Sequence, residues 1–192
     1  MIDKETAQKN FNAACAMYED AKAIVKELSD YAKSVAPDFS FEVSMRQFDL
    51  MLQGILLRIA VEDGYYLEEE RQFIEKITDY ADIMSFYNNN GVDVSWDMFG
   101  SLSDSDRKDL SLKMLVSLDG LIDNFVTPFA IIDKALPKDY CKELTSNVGG
   151  ICMALAFCDA DSKESEAFKA EGTVAVALVE KMIVEKWENM MK

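Results

Sequence analysis

Residues Ile59 to Glu70 read IAVEDGYYLEEE, and Leu155 to Glu166 read LAFCDADSKESE. In both, an apolar helical run meets an acidic break, and a second helix opens with a glutamate seven residues after the first aspartate. Asp63 with Glu70, and Asp159 with Glu166, therefore make two equally spaced carboxylate pairs. This pattern predicts an all-α chain organised around two helix–acidic turn–helix hairpins.

Working outward from the first break, Phe48, Leu52, Ile55, Leu56 and Ile59 fall on one helical face, with Asp49, Gln53 and Glu62 elsewhere. Ser44 with Gln47 has capping-box spacing, and Ser40 is the alternative cap. Gly64 suits the residue that lets the chain leave this helix with a positive φ. Glu68, Glu69 and Glu70 open the next helix, where the macrodipole favours acids. Its stripe is Phe73, Ile74, Ile77, Tyr80, Ala81 and Met84, and Asn88-Asn89-Asn90-Gly91 stops it.

Before this hairpin, Lys4 to Ala36 carries a seam in which Phe11, Tyr18, Val25 and Ala32 recur every seven residues, with Ala14, Ala21, Leu28 and Val35 three further on. The spacing predicts one long amphipathic helix ended by Pro37. Its alanines and tyrosine make a weak zipper, so packing onto its own bundle is expected over a coiled-coil partner. Two parts follow, residues 1–36 as a helix laid on the bundle and 37–192 as the bundle itself.

After the hairpin, Trp96, Met98 and Phe99 are expected to cap the core from a loop or short turn. Ser103 and Asp104 introduce a helix to about Leu118, and Asp119-Gly120 reads as a bend or end because Val126 replaces the carboxylate partner. Thr127-Pro128 is a start signal, Pro137 begins another helix, and Gly149-Gly150 implies close approach by a neighbour. The last helix runs to Met191 with Val176, Val179, Ile183, Trp187 and Met190 on one face. Seven or eight helices result. The plan of Phe48–Met84 recurs in Val148–Met190, as an internal duplication would leave it.

Composition narrows the chemistry. The chain has 192 residues, 35 acidic and 20 basic, for a formal charge of −15. Such a surface repels phosphate backbones, which argues against nucleic acid, and it suits a cation, a basic protein partner or solubility alone. With no histidine, Ser-His-Asp and Cys-His catalysis and Glu-x-x-His metal sites are excluded. Cys15, Cys141, Cys152 and Cys158 form no CxxC pair and follow no secretory signal, so reduced thiols in a cytoplasmic protein are expected. The longest unbroken apolar run, Ile151 to Cys158, is far short of the roughly 20 residues of a membrane span.

If the two acidic breaks pack together, Asp63, Glu70, Asp159 and Glu166 converge. Carboxylates about 4 Å apart repel by roughly 4 kcal/mol at an effective dielectric of 20. They then need a cation, a shared proton, or a basic neighbour such as Arg71 or Lys163. With oxygen donors only, Ca²⁺ or Mg²⁺ is the matching ion. An EF-hand does not fit, since Tyr65 holds the third loop position of the first break and Ala170 the twelfth of the second. The same acids also serve as plain helix N-terminal charges worth about 0.3–1 kcal/mol each.

The stretch IAVEDGYYLEEE with the RQFIEKI helix after it resembles the TerB-like tellurite-resistance family, and LAFCDADSKESEAF resembles its second copy. The resemblance covers Phe48 to Met84 and Val148 to Lys181. It implies a two-repeat helical fold, an acidic metal site at Asp63, Glu70, Asp159 and Glu166, and a place in tellurite or chemical-stress response. Leu67 and Lys163 stand where that family often has a capping serine, and Ala160 replaces the second glycine. The expected function is a non-enzymatic helical module that contacts other proteins and binds a divalent cation. The alternative is a structural interaction module without metal.

Overall fold

The computed structural model describes residues 4–62, 68–79, 82–156, 177 and 180–190. Among these, every regular element is helical: α1 (Lys4–Val35), α2 (Phe41–Glu62), α3 (Glu68–Ile77), α4 (Ile83–Asn89), a 3₁₀ turn (Trp96–Ser101), α5 (Asp104–Asp133) and α6 (Tyr140–Ala156). A last helix, α7, covers 180–190.

The α2 helix is the axis of the bundle. From Met51 to Val61 every residue is buried, on all sides of the helix, because α1, α3, α4, α5 and α6 all pack against it. Here the expected polar face is corrected. Asp49 is 0% and Gln53 3% exposed. They are held inside by hydrogen bonds to neighbouring helices, which offset the cost of removing polar groups from water. Ser40 is the cap in use, its hydroxyl accepting from the Val43 amide at 3.4 Å.

The expected seam of α1 is used within the chain. Ala14, Tyr18, Ala21, Val25, Leu28 and Ala32 are all buried, and α1 packs most extensively along α6. Val35, the last seam position, is 70% exposed because the helix ends there, past the core. Gly149 and Gly150 behave as close approach requires. A Cβ on Gly149 would overlap the Glu180 carboxylate of α7, and one on Gly150 the Met17 sulfur of α1.

The helix expected to continue from Glu68 to Met84 is two helices. The chain leaves α3 after Ile77 and restarts at Ile83, where Asp82 caps α4 by accepting from the Ser85 amide at 3.0 Å. Gln53 governs the break. Its amide donates to the Ile74 carbonyl (3.3 Å) and Thr78 Oγ1 (2.7 Å), and its oxygen accepts from the Ile83 amide (3.3 Å). Gly91, with φ +77°, then turns the chain out of α4, and Phe99 of the 3₁₀ turn enters the core.

The largest correction concerns α5. It starts at its Ser103 cap as expected, but runs unbroken past Leu118, Asp119-Gly120 and Thr127-Pro128 to Asp133. Proline in a helix interior costs about 3 kcal/mol. Against that, Leu121, Ile122, Phe125, Val126, Phe129 and Ala130 are buried in register with Met114 and Leu118, and each large apolar side chain contributes about 1.5–3 kcal/mol. Pro128 deprives only the Asn124 carbonyl of its helical partner, and Asn124 lies on the exposed face, where water can replace it. Pro137 likewise starts no helix. It sits in the turn before α6, and Asp139 caps that helix by accepting from the Lys142 amide at 3.0 Å.

Within α5, Ser105–Asp133 has the length and composition of a membrane crossing, although its Met114, Leu118, Ile122 and Phe125 face the core. Reading unbroken apolar runs passes over it, because charges interrupt it.

Candidate functional site

Of the four expected ligands, Asp63, Asp159 and Glu166 lie outside the described residues, as do Gly64, Lys163 and the second acidic break. Glu70 is described. It stands in the first turn of α3 and is 3% exposed, whereas Glu68 and Glu69 beside it are exposed. The helix period explains the difference, since Glu70 shares the inward face of Phe73, Ile74 and Ile77. Arg71, expected beside the acidic break, runs along the surface of α3. Its Nε meets Glu75 at 3.1 Å, and its guanidinium lies 5.6 Å from the centre of the Trp96 ring. Among the described residues, no three Asp, Glu or Cys side chains converge as a metal would need.

Sequence reading missed a cation near this elbow. Arg58, one turn before the end of α2, is only 6% exposed. Its charge acts on the phenol of Tyr87, which burial shifts strongly upward and Arg58 pulls partly back. Tyr87 is 0% exposed, and its hydroxyl has no hydrogen-bond partner among the described residues. Gly54 leaves room for it: a Cβ there would stand 3.3 Å from the Tyr87 oxygen. The only sequence signal was an arginine inside an apolar run.

The remaining buried polar groups form clamps between helices. Tyr18 donates to Asp49 Oδ1 at 2.8 Å, and its oxygen accepts from the Asp79 amide at 3.2 Å, so α1, α2 and the end of α3 meet at one phenol. Burial first, then the Asp49 charge, push the Tyr18 pKa up. In a second clamp, Asp133 accepts from the Tyr140 amide (3.3 Å) and the Trp187 indole N–H (2.9 Å). Burial raises its pKa, opposed by those two bonds.

A groove of about 910 Å³ lies between the 134–139 turn, α6 and α7, with Asp133, Cys141 and Trp187 among its lining and lysines at its edge. Burial pushes the Cys141 thiol up to about 11. It is therefore protonated at neutral pH and a poor nucleophile. Buried Cys152 is shifted further in the same direction by desolvation.

No protein-family model, curated protein or solved structure matches this chain.

Proposed function

We propose that this chain is a non-enzymatic, cytoplasmic helical module of the TerB type that works by contacting other proteins and holds a divalent cation at the α2–α3 elbow. The observation that carries this reading is the inward placement of Glu70, at 3% exposure, in a helix whose two preceding glutamates are exposed. Burying a carboxylate is costly unless a proton, a counter-charge or an ion compensates. Asp63 at the preceding break is its sequence partner, and Ca²⁺ or Mg²⁺ suits an all-oxygen donor set. Asp159 and Glu166 form the corresponding pair in the second half. The link to tellurite or chemical-stress response rests on the resemblance of IAVEDGYYLEEE alone.

Arg58 favours a second reading. A guanidinium buried one turn from the same elbow can balance Glu70 without an ion, and the chain is then a structural interaction module whose acids are caps and counter-charges. Thermal melts in Ca²⁺ or Mg²⁺ against chelator separate the two. A cation at a hundred times its dissociation constant adds about 2.7 kcal/mol, and Asp63→Asn with Glu70→Gln should abolish that gain. Melts that do not respond to either ion in the wild-type chain would sink the metal site and leave the structural module.

A further inference from the structure

Three polar side chains of the groove between α6 and α7 are left unused among the described residues. Helix α7 runs antiparallel to α6, since the Glu180 carboxylate lies against Gly149 while Trp187 shares Asp133 with the Tyr140 amide. The charge of Glu180 accordingly reaches the Cys152 thiol, and that of Glu188 the Cys141 thiol. Glu180 and Glu188 both line the groove and make no hydrogen bond or ion pair among the described residues. Between their levels, Thr145 also lines it, only 7% exposed, and its hydroxyl has no hydrogen-bond partner. The Cys141 sulfur, which does act on it, is a weak partner, and Val184 at the same level of α7 offers none. Leaving a buried hydroxyl unpaired is costly.

We propose that this groove binds a linear aliphatic polyamine, with its terminal ammonium groups on Glu180 and Glu188 and an internal N–H on Thr145. Spacing selects that class. Glu180 and Glu188 are eight helical residues apart, a rise of about 12 Å, and Thr145 stands midway between the Cys141 and Gly149 levels that they face. An extended triamine of spermidine length spans that distance with its internal nitrogen near the middle. Carboxylates only accept, so the ends of the ligand must donate, and cationic donors are favoured. One metal ion cannot bridge carboxylates so far apart. Half-buried Leu136 and Val184 give the methylenes apolar surface. The other acids of the groove are committed, Asp139 to the Lys142 amide and Asp133 to the Tyr140 amide and Trp187. Of the lysines, Lys138 is neutralised by Glu143 at 2.8 Å, and Lys134 and Lys142 are exposed at the rim, where water and salt screen them. The chain's charge of −15 draws polycations toward it.

Isothermal titration calorimetry of the full chain with spermidine tests this, at physiological ionic strength to suppress loose charge attraction. One spermidine should bind per chain, on the order of tenfold more tightly than putrescine, a diamine too short to reach both carboxylates. Glu180→Gln and Glu188→Gln should each weaken binding on the order of tenfold, and Thr145→Val about threefold. Glu185→Gln makes the same charge change at a residue paired with Lys181 outside the groove, and should leave binding unchanged. Spermidine that does not bind, or binds no better than putrescine, overturns the proposal. So does binding indifferent to Thr145→Val, or as sensitive to Glu185→Gln as to Glu180→Gln. Binding retained when Glu180→Gln and Glu188→Gln are combined overturns it too, since the amine then sits elsewhere on the acidic surface.

Discussion

Trp187 donates its indole N–H to Asp133 Oδ2 at 2.9 Å, while the Tyr140 amide donates to Oδ1 of the same carboxylate at 3.3 Å. One side chain thus ties the end of α5 to the start of α6 and to α7. Asp133→Asn keeps the shape but turns an amide NH₂ toward one of the two donors. The expected loss is about 1–3 kcal/mol, checked by urea unfolding followed through tryptophan fluorescence. Because burial raises the Asp133 pKa, its folded value lies above its unfolded one. The associated stability is present below the unfolded pKa and is lost as pH rises through the folded pKa. The wild-type chain should therefore lose stability with rising pH across that window, more steeply than Asp133→Asn.

In the other clamp, Tyr18→Phe removes the phenol that donates to Asp49 and accepts from the Asp79 amide. Asp49 is fully buried, so losing a donor to it should cost about 2 kcal/mol. Asp49→Asn relieves part of the same penalty. A double-mutant cycle should give a coupling of about 0.5–3 kcal/mol, and strict additivity would contradict the clamp.

Gln53→Leu keeps side-chain size and removes three hydrogen bonds to α3 and α4. Its effect should be local first. Amide exchange at Ile83 and in the last turn of α3 should accelerate well beyond that in α6, with a global loss of about 1–3 kcal/mol. Uniform acceleration through all helices would show that Gln53 is not specific to this junction.

Desolvation holds Cys141 at about 11 and shifts Cys15 upward as well. Iodoacetamide at neutral pH should therefore modify Cys141 and Cys152 only on the timescale of unfolding, with half-exposed Cys15 reacting ahead of them. Mass spectrometry of natively labelled chain decides this, and rapid labelling of Cys141 would mean the groove beside it opens.

The residues that sequence reading handled well are those whose role is local or periodic. The α1 seam from Ala14 to Ala32, the Ser103 cap, the stop at Gly91 and the close approach at Gly149-Gly150 follow from helix geometry and backbone freedom. The four carboxylates singled out in the acidic breaks are a different case, since only Glu70 lies among the described residues and its burial comes from sharing a face with Phe73 and Ile77. Asp133 carried no legible signal and Arg58 only its place inside an apolar run, because a charged residue reads as solvent-facing until its partners from distant parts of the chain are known.

By itself, the order of residues determined that this chain is helical and roughly where its apolar stripes lie, because propensity and the 3.6-residue period act over one or two turns. Only the tertiary structure decided that α3 ends at Ile77, that α5 continues through Pro128, and that Asp49, Gln53 and Arg58 belong inside. Each of those outcomes balances a local penalty of a few kcal/mol against burial and hydrogen bonds supplied by helices remote in sequence. That balance cannot be evaluated until the helices are in contact.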